Sequence, residues 1–326
     1  MKFSIIIAAY NVADYLEECV ASVAQQIYQD QDYEILLIND GSTDGRTAAL
    51  CDDLAKRYPV VRQIHKENGG LSSVRNLGIL ESKGDYILFV DGDDFWTDNQ
   101  FLSGIAEHLS DNVDVLIFPY SYYSHKTVSL SYSVGDGASF NLEDNSVELV
   151  EKGIWFTPAW NKCVKRDLFE ISDNLFFPLG FLSEDIIWCA NLLKIAQTCV
   201  IYQNSQYMYR QNREGSITST VKAKNVLDIL RSIDQVLQTQ GLSQERQVAL
   251  ERYATIAYIS ILPYAYPYRQ DQDIKSYLQS YRYLLGNSRA LHQLSFKMTG
   301  LGSYYLGLEV SMAIYHSLIG LYRRLR

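Results

Sequence analysis

The sequence has little of what would mark a disulfide scaffold, a zinc site or a nucleic-acid binder. Its five cysteines, Cys19, Cys51, Cys163, Cys189 and Cys199, are odd in number and scattered, with no CxxC spacing. That excludes a disulfide framework and predicts a reducing, cytoplasmic setting. The five histidines form no HxH or HExxH pair. Lysine and arginine number 29 against 38 acidic residues, giving a net charge of -9 and pI ≈ 5.1, and no basic tract occurs before the last few residues. A general role on nucleic acid is thereby excluded. No clean apolar run reaches the length of a spanning helix, and the apolar stretch of MKFSIIIAAYN is too short for a secretory leader. A nicotinamide-binding turn needs GxGxxG after the first strand, and AAYNVADYL has none.

What is present is a hydrophobic fraction of 47% in 326 residues, sufficient for one large domain or two ordinary ones. Tyrosine is abundant at 25 residues. Its ring and hydroxyl suit surfaces that meet sugars or lipid headgroups, and they suit protein cores equally well.

Over the first hundred residues strand and helix patterns alternate. FSIIIAAYN reads as a strand, ADYLEECVASVAQQ as an amphipathic helix, and YEILLIND as a second strand ended by GSTDG. Residues 47–58 are helical and stop at Pro59, VVRQIHKE is a third strand, NGGLSSVRNLGILESKG is a turn feeding a helix, and DYILFVD is a fourth strand. Short apolar strands separated by helices predict a parallel sheet covered on both faces. Ligands of such sheets sit beyond the carboxyl ends of the strands. Asn11, the segment Asn39–Asp44, the segment Asn68–Ser73 and Asp91–Asp94 all fall there. Further on, 113–124 and 126–134 read as strands, 135–137 as a turn, SVELVEKG as a helix, and the chain from about Glu184 and again from about 222 as helical.

The fourth strand runs into Asp91, Gly92, Asp93 and Asp94. Two carboxylates about 4 Å apart repel by roughly 4 kcal/mol at an effective dielectric of 20, so three together call for a counter-charge. A hard divalent cation takes oxygen ligands and shares them with substrate phosphates. The alternative is a solvated acidic turn; its place at a strand's carboxyl end favours a metal site.

In order and spacing, SIIIAAYN, LLINDGSTDG, ENGGLSSVRNLGI and YILFVDGDD resemble the family 2 glycosyltransferases, strongly over residues 3–97 and more weakly to about 218. The resemblance implies an α/β GT-A fold, a Rossmann-like mixed and mainly parallel sheet flanked by helices, with a C-terminal helical extension. The catalytic domain would span 1–218, with 1–97 as nucleotide-sugar half and 98–218 as acceptor half, and 219–326 would be the helical region. It also implies a bacterial, inverting transferase of glycan or polysaccharide assembly. Such an enzyme takes a UDP-sugar, uses Mn²⁺ or Mg²⁺, and transfers a hexose or N-acetylhexosamine to a hydroxyl of a glycan acceptor, protein-bound or lipid-linked.

Residue by residue, the resemblance puts Ala9, Tyr10 and Asn11 beside the nucleobase and makes Asp40 the acceptor for the uracil N–H. Helix capping, the alternative for Asp40, falls more naturally to Asp44. Asn68 would line the ribose side and Arg75 would face the donor, with a surface ion pair as its alternative. Asp91 and Asp93 match the DxD motif across Gly92, with Asp91 toward the donor ribose or sugar and Asp93 the more direct metal ligand; Asp94, ranked below Asp93, would do either or only support the turn. FLSEDIIW resembles the acidic motif that supplies the base, Asp185, with Glu184 positioning a hydroxyl. A charged first helical turn is the alternative there. Arg210, Arg213 and Ser216 in YRQNREGSIT resemble the stretch that closes on the diphosphate, either arginine being tolerably spaced for it, and Trp160, Asn161 and Lys162 a wall before the base, with a place in the core as the alternative for Trp160. Val74 departs from the smaller residue usual before the arginine, and no QxxRW occurs, which favours single-sugar addition. The other classes weighed are a non-catalytic sugar-nucleotide-binding module and a nucleotidyltransferase, which would release pyrophosphate.

Near the C-terminus, Leu301, Tyr305, Leu308, Met312, Tyr315, Ile319 and Tyr322 recur every three or four positions, ahead of Arg323, Arg324 and Arg326. Two readings of this stripe stand. One is peripheral contact with the inner face of the plasma membrane; the other is packing on the domain or in a dimer.

Overall fold

The structure, a computed structural model, describes residues 1–29, 32–124, 126–211 and 221–325. The chain divides into two compact units, and neither is continuous in sequence. The first comprises Met1–Asn141, Pro158–Gly180 and Ile195–Glu214; the second comprises Leu142–Thr157, Phe181–Lys194 and Gly215–Arg326. The boundary expected near 218 lies outside the described residues.

In the first unit the expected alternation is present. Strands β1 (Phe3–Ala9), β2 (Tyr33–Asp40), β3 (Val61–Lys66) and β4 (Tyr86–Asp91) are separated by helices α1 (Ala13–Ala24), α2 (Thr47–Arg57) and α3 (Leu71–Glu81). β1 and β2 are apolar on both faces and almost wholly buried, as strands covered by helices must be. On α1, Leu16, Cys19, Val20 and Val23 make the buried stripe at helical spacing. Asp44 caps α2, its Oδ1 accepting from the backbone N–H of Arg46 and Thr47.

β5 (Phe95–Trp96), α4 (Phe101–His108), β6 (Val115–Ile117), β7 (Tyr120–Tyr123), β8 (Val128–Ser129) and β9 (Ser139–Asn141) follow. After α5 (Leu142–Glu151), which belongs to the second unit, come β10 (Lys162–Lys165) and α6 (Asp167–Ile171) of the first. Then come α7 (Asp185–Ile195), β11 (Thr198–Ile201) and β12 (Tyr207–Arg210). The large sheet has the order β3-β2-β1-β4-β10-β6-β11-β9. Its first four strands are parallel, while β10 runs against both neighbours and β9 against β11. A second sheet has the order β5-β12-β7-β8.

Three local expectations change. The single strand over 113–124 is two, because β6 joins the large sheet and β7 the small one, with Phe118 and Pro119 between them. The strand over 126–134 shrinks to Val128–Ser129. The helix begun at Ser146 starts four residues earlier, at Leu142.

The second unit is built on α5, α7 up to Lys194, α8 (Ala223–Leu237), α9 (Gln244–Ala265), α10 (Gln272–Ser280), α11 (Leu294–Leu306) and α12 (Leu308–Leu325). Gly307, at φ +83°, breaks the C-terminal stripe into two helices. Among the described residues no helix is long and apolar enough to cross a membrane. All five cysteines are buried and unpaired.

Because β1 to β4 are parallel, their carboxyl ends share one edge of the sheet. The opposite edge is pinned by Ser4, whose buried Oγ donates to Glu34 Oε1 at 2.7 Å and accepts from the N–H of Lys83 (3.0 Å) and Gly84 (2.8 Å). Ser4→Ala leaves the Gly84 N–H without that acceptor. We expect a loss of ~1–3 kcal/mol, read as a lower urea midpoint at unchanged m-value.

Candidate donor site

Four loops leave the shared edge, and side chains tie them together. Asn11 follows β1 in the left-handed region at φ 53°, which Asn tolerates better than most residues. Its Oδ1 accepts from the N–H of Thr43 (2.8 Å) and Asp44 (3.1 Å), so the β1 loop is stitched to the β2 loop. Ala9 is buried in β1, while Tyr10 presents its ring at 46% exposure.

Asp40 ends β2 and is buried. Its Oδ1 accepts from Lys66 Nζ (2.6 Å) and Gly69 N (2.9 Å), and its Oδ2 from Gly70 N (2.8 Å). Asn68 Nδ2 donates to the Asp40 carbonyl at 3.0 Å. Asp40 therefore shapes the glycine turn that opens α3. A carboxylate offers about four acceptor positions, so the three bonds leave room for one further N–H.

Arg75 on α3 is only 2% exposed, with its guanidinium 5.8 Å from the Phe89 ring and 5.1 Å from that of Phe177. Its Nη2 meets Asp91 Oδ1 at 3.1 Å. The expected alternative, a surface ion pair, is excluded by this burial. Arg75 supplies part of the counter-charge that the acidic turn requires.

The rest of the turn is held by β12. Successive strand residues face opposite sides, and both sides of β12 are used. From one face Tyr207 donates its hydroxyl to Asp94 Oδ2 at 2.7 Å, and the Tyr207 hydroxyl oxygen itself accepts from the Asp91 N–H at 3.3 Å. From the other, Arg210 Nε donates to the Asp93 carbonyl at 2.8 Å and Nη2 to Glu18 of α1 at 2.6 Å. Its guanidinium lies 5.0–5.1 Å from the rings of Tyr15, Phe95 and Tyr123. The Arg210 N–H also donates to Asp94 Oδ1 at 2.8 Å.

Asp94 is 1% exposed, and burial followed by the charges of Asp93 and Asp91 pushes its carboxyl well above the usual range. It supports the turn from beneath. Burial, then Asp94 and Asp91, likewise raise the Tyr207 phenol. Gly92 completes the turn, since a Cβ there would stand 2.5 Å from the Ala8 carbonyl oxygen. Asp91 and Asp93 remain half-exposed at the edge.

Among the described residues no group of three or more His, Cys, Asp or Glu is placed to hold a metal alone. One or two carboxylates at an open edge match a cation that completes its shell with water and substrate phosphate. Asp93 and Asp91 fit that chemistry.

The expected wall residues are interior in this structure. Trp160 stacks on Tyr207 (centroids 4.4 Å, 9° between planes) and on Tyr209 (5.4 Å). Asn161 Nδ2 donates to the Tyr132 hydroxyl, and Lys162 Nζ to the Pro158 carbonyl and Asn161 Oδ1, both residues being fully buried. Arg213 and Ser216 lie outside the described residues.

Glu184 and Asp185 belong to the second unit. Asp185 opens α7, and the preceding Ser183 is held at φ 64°, a costly conformation for a non-glycine residue. Asp228 of α8 accepts from the Leu182 N–H at 3.0 Å and steadies that bend. Glu184 is buried. The Tyr253 phenol of α9 is raised by burial first, with Cys189 and Asp185 adding their charges.

Tyr207, Glu18, Tyr15, Lys66 and Asp228 are absent from the sequence-derived set. Lys66 alone carried a usable signal, as a cation at the end of the third strand. If β12 braces the turn, Tyr207→Phe leaves Asp94 Oδ2 without its phenol donor. We expect ~1–3 kcal/mol lower stability, read as a lower urea midpoint at unchanged m-value.

Comparison with known proteins follows the same edge of the fold. The family model described as "Glycosyl transferase family 2" matches residues 4–168. The chain is 33% identical to the glycosyltransferase EpsJ of Bacillus subtilis over 221 residues, 64% of this chain and 61% of that one. It is 28% identical to the glycosyltransferase GlyA of Streptococcus pneumoniae over 77% of this chain and 37% of that one. The chain thus spans less than two thirds of either relative. Among solved structures, S. aureus TarS 1–349 in complex with UDP-GlcNAc superposes with a TM-score of 0.70 at 18% identity, covering 100% of this chain and 93% of that one. The fold is accordingly the GT-A arrangement, a mainly parallel sheet flanked by helices with a helical C-terminal region. With the family match taking in β1 to β4, the acidic turn and β10, the chain belongs to glycosyl transferase family 2.

Proposed function

We propose that the protein is an inverting glycosyltransferase of bacterial surface-glycan assembly. It would move a hexose or N-acetylhexosamine from a UDP-sugar to a hydroxyl of a glycan acceptor, lipid-linked or protein-bound. The observation that carries this reading is the braced Asp91–Asp94 turn at the shared carboxyl edge of β1 to β4. The same edge carries the loops that would receive a nucleotide.

The donor's uracil would sit by Tyr10, between the Asn11 loop and the fourth acceptor position of Asp40. Asn68 would border the ribose. Asp93, helped by Asp91, would hold Mg²⁺ or Mn²⁺, which when bound offsets the charge of the diphosphate leaving group. Arg75 would keep Asp91 turned toward the donor, and Arg210 acts through the turn by fixing the Asp93 carbonyl. Arg213 and Ser216 keep, from the sequence alone, the expected role of closing on the diphosphate.

The transfer is a single displacement. The acceptor oxygen forms a bond to the anomeric carbon as the bond from that carbon to the diphosphate oxygen breaks, and configuration inverts. The acceptor's proton passes to a carboxylate, proposed as Asp185, with Glu184 orienting a hydroxyl. The strained Ser183 backbone directly before this pair supports the assignment.

Asp185→Asn should lower kcat for UDP release in the presence of acceptor by ~10²–10⁴-fold, while the thermal shift given by the donor persists. EDTA should abolish transfer, and Mn²⁺ or Mg²⁺ should restore it. Full turnover in excess EDTA, or release of pyrophosphate in place of UDP, overturns the reading.

A further inference from the structure

Helix α12 is apolar on two sides. Of the stripe anticipated from the sequence, the part on α12 from Leu308 to Ile319 turns inward, while Tyr305 on α11 faces out. Met312 is 2% exposed, Leu308, Tyr315 and Ile319 are half-buried, and the Tyr315 hydroxyl donates to the Thr299 carbonyl of α11 at 3.1 Å. His316 Nδ1 lies 3.1 Å from the Pro263 carbonyl oxygen of α9, so the helix is fixed on this unit.

A second stripe occupies another face. Val310, Ile314, Leu318 and Leu321 follow at i, i+4, i+8 and i+11, and three of the four are more than half exposed. Ala313, Ile314, Ser317, Leu318 and Leu321 line an open groove of ≈ 410 Å³ along it. α11 repeats the spacing with Leu294, Met298 and Tyr305, exposed at 67%, 63% and 69%. A soluble surface rarely leaves apolar stripes of this length uncovered.

Charge identifies the occupant. Residues 294–326 contain Lys297, Arg323, Arg324 and Arg326 against Glu309 alone, a net +3, whereas the whole chain is -9 and the remainder therefore -12. Arg289 adds a cation beside α11, its Nη2 donating to the Tyr305 hydroxyl at 2.8 Å near the Tyr304 ring. Apolar stripes bordered by tyrosines and cations match the boundary between acyl chains and anionic headgroups. A second copy of this chain fits less well. In a second copy the same cations recur and find only Glu309 as an acid on these helices, whereas anionic headgroups neutralise them.

We propose that the outer faces of α11 and α12 dock on a phospholipid bilayer bearing anionic headgroups, with the two helices lying in the interface. This deepens the proposed function by naming the surface that would present a lipid-linked acceptor, and its test is independent of turnover.

The full chain should float with phosphatidylcholine vesicles containing phosphatidylglycerol and not with phosphatidylcholine alone. Ile314→Asp combined with Leu318→Asp should reduce that binding about tenfold or more. Arg323→Glu with Arg324→Glu should weaken it and shrink its salt sensitivity. Both variants should keep the native circular dichroism and the donor-induced thermal shift, which separates this proposal from the donor-site reading. Equal flotation of the aspartate variant, binding indifferent to phosphatidylglycerol, or conversion of a dimer to a monomer by the aspartate pair in sedimentation velocity would overturn it.

Discussion

Three carboxylates within four residues at a strand end are the constraint around which the first unit is arranged. Asp91, Asp93 and Asp94 would repel one another, and each is answered differently. Asp91 faces the buried guanidinium of Arg75. Asp94 is buried beneath the turn under a tyrosine hydroxyl and a backbone N–H. Asp93 stays at the open edge, and its carbonyl is held by Arg210. The result concentrates negative charge where a cation and a diphosphate can share it, without the turn collapsing or flipping outward.

The same arrangement explains why the small second sheet exists beside the large one. β12 is four residues long, yet its two faces grip the turn from opposite directions. Trp160 stacks behind Tyr207, and Phe95 and Tyr123 flank Arg210. A positioned metal ligand depends on such support as much as on its own chemistry. Tyr207 is used in this way, its ring packed on Trp160 and its hydroxyl placed on Asp94.

Much of this was legible in the sequence. Alternating strand and helix patterns gave β1 to β4 with their helices, and the polar clusters at strand ends fell where parallel topology requires. Asp44 as helix cap and Arg75 opposite an acid were also within reach of local chemistry. The departures have physical causes. β6 and β7 read as one strand because apolar alternation does not register a change of sheet. Asn161 and Lys162 read as a wall because polar residues suggest surface, yet here they bond to each other, to the Tyr132 hydroxyl and to the Pro158 carbonyl in the interior, and Trp160 takes the core place that was its alternative. The C-terminal stripe read as one helix because a single glycine inside an apolar period does not reveal its positive φ.

The sequence by itself determined the order of strands and helices, the edge at which the acidic residues gather, and the family to which they belong. The first two follow from local periodicity and the sign and spacing of charges, and the third from the resemblance of four ordered motifs to that family. Only the tertiary structure decided that Tyr207 and Arg210 hold a turn more than a hundred positions away, and that Asp228 steadies the bend before Asp185. It also decided which of the two apolar stripes on α12 is covered. Those outcomes depend on which distant surfaces meet, and no repeat along the chain encodes that meeting.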